Sequence, residues 1–128
     1  MTTFTSISSN TAPAAIGTYS QAVRHGGLIF LSGQIPLDPE SMEIVSEDFA
    51  DQLQQVFSNL LSVCEAAGGD FSHVLKLTVY LTDLSNFGIV NDVMAKYFQE
   101  PYPARAAVQV SALPRSAQVE IEGIMAQP

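Results

Sequence analysis

The chain has 128 residues, 47% of them apolar, and carries 13 acidic against 5 basic side chains for a formal charge of −8. This length and apolar content fit one domain, residues 1–128, with a core large enough to fold without staples, and they exclude disorder. The acidic balance speaks against a nucleic-acid or anionic-membrane surface, which needs clustered Lys and Arg, but not against a small anion held by one placed arginine.

The start, "MTTFTSISSN", has neither the basic nor the apolar region of a signal peptide, and no apolar run approaches the ~20 residues of a membrane span. The lone cysteine, Cys64, allows no intrachain disulfide and suits a reducing compartment. A cytoplasmic location is expected. In chain order, "FTSI" reads as a short edge strand and "SSNTAPAAIGTYS" as a loop rich in small and turn-forming residues. "SQAVRHGGLIFLSGQ" predicts two strands flanking a His25-Gly26-Gly27 turn. Residues 46–67 predict a helix with an apolar stripe of Phe49, Leu53, Val56, Phe57, Leu60, Leu61, Cys64 and Ala67. Ser46 is the expected cap and Gly68-Gly69 the expected stop. A strand over 73–82 follows, then a helix over 83–98 capped by Asp83 or Ser85. Its apolar face runs Phe87, Val90, Met94, Tyr97, Phe98, and "EPYP" ends it. Two last strands are "ARAAVQV" and "AQVEIEGIMA". The order β-β-β-α-β-α-β-β predicts an α+β sandwich, one sheet with two helices packed on one face.

Strand alternation separates two sheet faces. Leu75, Leu77, Val79 and Leu81 oppose Lys76, Thr78 and Tyr80, and Val119 and Ile121 oppose Glu120 and Glu122. Ala104, Ala106, Val108 and Val110 oppose Arg105, Ala107 and Gln109. One face is apolar and takes the helices. The other mixes small residues, Thr, Tyr and a few charges, as a surface that meets another subunit does. There is no metal pattern: His25 and His73 lack partners at ligand spacing, and Cys64 sits on the core stripe. Phosphate-loop and dinucleotide signatures are missing too. What stands out is Arg105 in "PARAAVQV", a permanent cation among small residues. It is either half of a structural ion pair with Glu120 or Glu122, or a clamp for a substrate carboxylate. Asn91, on the apolar face of the second helix, either satisfies backbone groups or points at a ligand. Tyr19 and Ser32 add hydroxyls at loop and strand ends.

Five ordered blocks, "APAAIGTYSQAV", "FLSGQIP", "VYLTDLSNFGIVNDVMAKYF", "YPARAAVQV" and "VEIEGIMA", resemble the reactive-intermediate deaminase family (RidA, or YjgF-like) over nearly the whole chain. The resemblance implies a chorismate-mutase-like (bacillus type) fold and a trimeric, barrel-like assembly with sites in the clefts between subunits. It implies hydrolysis of 2-imino acids, such as 2-iminobutanoate and 2-iminopropanoate, to 2-keto acids and ammonia, without a cofactor. Carried over by position, Arg105 binds the substrate carboxylate with help from the backbone at Gly33, and Glu120 positions or activates water. Tyr19, Ser32 and Asn91 line the pocket. Many members have cysteine where this chain has Ala107, a position that contributes to binding if its backbone carbonyl is what matters. A rival of another class is a non-catalytic, ligand-binding or chaperone-like trimer that keeps the pocket. A ribonuclease-like role, also proposed within the family, sits poorly with the charge and the lack of an acid–base histidine pair.

Overall fold

A computed structural model describes residues 3–128. Eight principal elements follow in order: β1 (Thr5–Ile7), β2 (Ala22–His25), β3 (Leu28–Gln34), α1 (Phe49–Ala66), β4 (Val74–Leu81), α2 (Phe87–Tyr97), β5 (Ala104–Gln109) and β6 (Val119–Ala126). The strands form one six-stranded sheet in the order β1-β2-β3-β6-β4-β5. All neighbours are antiparallel except β4 and β5, which run parallel because α2 carries the chain back between them. The β-β-β-α-β-α-β-β order expected from the sequence is the one observed.

The α1 stripe meets the sheet through Phe49, Leu53, Val56, Phe57, Leu60 and Cys64, all buried against Ile29, Leu31, Leu77, Val79, Ile121 and Met125. Each large side chain fully buried this way stabilises the fold by about 1.5–3 kcal/mol. An aromatic group of Phe57, Phe71, Tyr97 and Phe98 joins α1 to the end of α2, with ring centroids 4.6–6.1 Å apart. The sheet face away from the helices carries Leu28, Phe30, Ile124, Ala104, Ala106 and Val108 among Lys76, Thr78, Tyr80, Glu120 and Glu122. Phe30 is 42% and Val108 43% exposed.

Several local expectations are corrected. The cap of α1 is Asp48, whose carboxylate accepts from the Asp51 N–H at 3.1 Å. Ser46 lies two residues before it, accepting from the Asp48 N–H and donating to the Asp51 carboxylate. Residues 84–86 form a separate 3-10 turn capped by Asp83, so α2 starts at Phe87. Leu75 does not join the apolar face. A bulge between Val74 and Lys76 gives the inward position to Val74 and leaves Leu75 47% exposed. At the end of α1, Gly68 takes a positive φ of 92° and lets the Gly69 N–H return to the Cys64 carbonyl at 3.0 Å.

Candidate active site

The outer end of β6, the β3 bulge and the loop before β2 enclose a cleft of about 520 Å³. Tyr19, Ser32, Gly33 and Glu120 line it together with Ile16 and Pro114. A register shift between Leu31 and Gln34 turns Ser32 and Gly33 out of the regular ladder. Ser32 is fixed there, its hydroxyl donating to the Ser20 carbonyl at 2.6 Å and its N–H to the Gln21 carbonyl at 3.0 Å. Gly33 makes room for a close approach. A Cβ at this position would collide with the Glu120 carboxylate, with the carboxyl carbon only 3.0 Å away. The Tyr19 hydroxyl accepts from the Ile16 N–H at 3.4 Å and folds the loop over the mouth.

Glu120 is half-buried in this cleft. Burial pushes its carboxyl above the usual carboxylate range, and the nearby charge of Glu122 adds to the effect. Tyr80, on the adjacent strand, donates its hydroxyl to Glu122, and that bond, followed by burial, holds its own proton more tightly than usual. Glu122 therefore has a tyrosine partner.

Arg105 and Asn91 belong to a second cleft, of about 470 Å³, lined also by Met94, Ala95, Tyr102 and Pro103. In the β4–β5 register Arg105 pairs with Leu77 and Ala107 with Val79, which turns both toward the helix side of the sheet. The guanidinium donates to the Asn91 amide oxygen at 2.6 Å and to Met94 Sδ at 3.5 Å, and it stacks 4.9 Å from the centre of the Phe87 ring. Among the described residues it forms no ion pair. Within one chain the ion-pair reading with Glu120 or Glu122 is excluded. Strand β4 separates β5 from β6, and the glutamates share the opposite face with Thr78 and Tyr80. Asn91 is exposed at the margin of α2 rather than on its buried stripe, and its oxygen serves the guanidinium rather than a backbone group.

Within one chain the sequence-predicted residues thus fall into two groups: Tyr19, Ser32, Gly33 and Glu120 in one cleft, Asn91 and Arg105 in the other. Ala107 lines neither cleft; it packs half-buried against the core. Tyr102, in "EPYP", and Ile16 stand in segments that the sequence presents only as loop. The signal for each is a large side chain in a turn segment, 54% exposed for Tyr102 and 62% for Ile16.

A family model described as endoribonuclease L-PSP matches residues 9–127. The chain belongs to the RidA (YjgF, L-PSP) family. Among its relatives is the 2-iminobutanoate/2-iminopropanoate deaminase of Mus musculus. It is 50% identical over 121 residues, covering 94% of this chain and 90% of that protein. The crystal structure of RidA from an Antarctic Psychrobacter matches with a TM-score of 0.92 at 52% identity, over 95% of this chain and 98% of that one. Escherichia coli TdcF, solved with bound serine, matches with a TM-score of 0.90 at 38% identity, over 97% of this chain and 99% of that one. The backbone of Ala107 stays in register opposite Val79 on β4.

Proposed function

We propose that the protein is a deaminase that hydrolyses 2-imino acids, 2-iminobutanoate and 2-iminopropanoate among them, to 2-keto acids and ammonia. The observation that carries this reading is Arg105: a guanidinium fixed by Asn91, Met94 and Phe87, with no carboxylate partner among the described residues. Such a group is prepared to receive a carboxylate from outside the chain. Serine bound to TdcF, a relative, presents the same acid end beside a nitrogen-bearing carbon.

In a 2-imino acid the carboxylate is bonded directly to the reacting carbon, so its clamp and the water activator must lie within one small substrate's reach. In a single chain, Arg105 and Glu120 lie on opposite faces of the sheet. The reading therefore includes a homotrimer, a chorismate-mutase-like barrel of sheets, in which Arg105 of one copy completes the Glu120 cleft of the next. The exposed apolar side chains of the open face, Leu28, Phe30 and Val108, support burial against other copies. Residues 1–128 act as one domain of this assembly.

Arg105 holds the carboxylate, and Glu120 takes a proton from water as the water oxygen bonds to the imine carbon and the C=N π pair moves to nitrogen. The proton then passes to the nitrogen of the tetrahedral adduct, and the C–N bond breaks as Glu120 takes the hydroxyl proton, so that ammonia leaves as the carbonyl forms. A protonated imine is already electrophilic, so the reading needs no cofactor. Ser32, Gly33 and Tyr19 shape the Glu120 side of the site. Among the described residues no helix is long and apolar enough to cross a membrane, and with a lone, buried cysteine we place the protein in the cytoplasm. A ribonuclease reading is disfavoured by the −8 charge and by both histidines being locally engaged, His25 with the Thr3 carbonyl and His73 with Asp70.

The test is a coupled assay with a threonine dehydratase, which releases the imine precursor, following the appearance of 2-oxobutanoate. The protein should accelerate keto-acid release, and Arg105→Ala should not. Equal rates with and without the wild-type protein would refute the deaminase and leave a non-catalytic binder.

A further inference from the structure

We infer that Tyr80 and Glu122 act as a positioning pair for Glu120, fixing a negative charge beside it that no cation of the same chain neutralises. The inference rests on the reading of Glu120 as the group that activates water. Glu120 and Glu122 are alternate residues of β6, on one face and roughly 6–7 Å apart along the strand. Tyr80 sits directly opposite Glu120 on β4, and Thr78 sits opposite Glu122. Yet the Tyr80 hydroxyl passes by its direct partner and reaches diagonally to Glu122. All three residues line one small cavity with Gly33 and Leu113, continuous with the larger cleft through Gly33, Glu120 and Glu122.

The choice of a tyrosine is what matters. An arginine or lysine beside Glu122 would cancel its charge and draw Glu120 toward easier ionisation. The candidate cations are otherwise placed. Lys76 shares the face but stands opposite Ile124, one pair beyond Glu122, and among the described residues it makes no ion pair. Arg115 donates to the Met42 carbonyl at 3.1 Å. Arg105 of the same chain is on the other side of the sheet. The residues of β3 and the preceding loop that line the cleft, Ile16, Tyr19, Ser32, Gly33 and Gln34 among them, carry no charge. In the proposed assembly Arg105 of the partner subunit adds a cation that is common to every variant compared below. A neutral donor orients the Glu122 carboxylate and offsets only part of its charge, leaving the rest to act on Glu120. The raised proton affinity of Glu120, from burial and then from Glu122, agrees with this arrangement. A base that binds its proton more tightly accepts one from water more readily.

Two variants separate this role from a structural one. Glu122→Gln removes the charge and keeps the shape. Glu120 should then ionise at lower pH, by about half a unit or more, the lower bound for two charges roughly 6–7 Å apart in a water-like medium. Tyr80→Phe keeps the charge without the hydroxyl that shares it, and Glu120 should ionise at higher pH. The readout is the carboxyl ¹³C titration of Glu120, assigned by its loss in Glu120→Gln, on variants with wild-type size by light scattering. The acid limb of kcat is followed in parallel. Opposite shifts in the two variants are the expected result. Titrations of both variants coinciding with wild type, or moving in the same direction, would overturn the pair. If Glu120 shifts as expected while wild-type protein shows no turnover, the pair stands and the deaminase reading is what fails.

Discussion

Arg105→Ala gives the sharpest separation between chemistry and fold. The side chain is exposed, and its local contacts are a hydrogen bond to Asn91 at 2.6 Å, a contact to Met94 Sδ at 3.5 Å and the Phe87 ring at 4.9 Å. An exposed cation–π contact contributes about 0.5–1 kcal/mol and a hydrogen bond about 1 kcal/mol. Both are partly returned by water in the variant, so the net cost to the fold is on the order of 1 kcal/mol, a shift of a few degrees in Tm. The cost to function is of another size. Removing one partner of a desolvated charge pair costs roughly 2–5 kcal/mol, which is a factor of about thirty to several thousand in kcat/KM. Because the clamp also orients the imine carbon toward water, part of this loss should fall on kcat and not only on KM. The assay is keto-acid release coupled to a dehydratase, with circular dichroism and light scattering on the same sample. A folded, assembled Arg105→Ala protein that keeps a third or more of the wild-type rate would refute the clamp.

Three further substitutions bear on the same site. Glu120→Gln should lower kcat by about 10²-fold or more, since the base is lost while the shape is kept; the same coupled assay reads it. Its effect on stability has the opposite sign. Folding raises the proton affinity of Glu120, so the stability tied to that proton is present at low pH and lost as pH rises through the titration of the folded state. Gln should therefore raise Tm at pH 7, with the gain vanishing as pH falls below the ordinary glutamate value of about 4.3, where the carboxyl is neutral in the folded and unfolded chain alike. Gly33→Ala should cut turnover at least tenfold by displacing the Glu120 carboxylate, about 1.4 kcal/mol or more in the barrier, with the far-UV spectrum unchanged. Ala107→Cys should change turnover by less than about tenfold, because position 107 packs against the core and keeps its backbone register; a larger gain would mean that the thiol itself takes part.

Periodicity is a property of an element taken alone, and the elements were legible for that reason. The α1 stripe, the β2–β3 turn at Gly26 and the pairing of Glu120 with Glu122 on one face all follow from spacing within a segment. What spacing does not contain is the order of strands. Alternation in "ARAAVQV" yields two sets of side chains but not which set meets the helices. That is decided by α2, which carries β5 to the edge beside β4 and lays Arg105 against Asn91 and Met94. The same limit explains Leu75, where one bulge inverts an apparently regular pattern. It also explains Asn91, whose helical position is right but whose helix lies at the sheet margin, where that position meets a side chain and not the core. Glycine 33 had a family role from its block, yet the physical reason for it, room for the Glu120 carboxylate, needs the β3–β6 pairing.

The placement of Arg105 and Glu120 on opposite faces of one sheet leads to a last prediction. On the proposed reading, a folded single chain carries two half-sites, each lacking what the other supplies. If adjacent copies complete one another, every site takes its arginine from one chain and its glutamate from a neighbour. An Arg105→Ala chain still offers Glu120, and a Glu120→Gln chain still offers Arg105. The two variants, each inactive alone, should therefore recover activity when unfolded together and refolded as mixed assemblies. With random mixing at equal amounts, a site has a chance of one half of drawing the intact arginine and one half of drawing the intact glutamate, so ~25% of wild-type activity should return, the count following from the closed ring of equivalent interfaces. Mixing without unfolding should recover less if subunits exchange slowly, which gives the control. The readout is again keto-acid release, with size by light scattering to show that mixed and pure assemblies are alike. Recovery near one quarter would place the reacting centre between chains. No recovery in properly assembled mixtures would mean that Arg105 and Glu120 do not serve the same site, and the carboxylate clamp and the water activator would have to be sought within a single cleft.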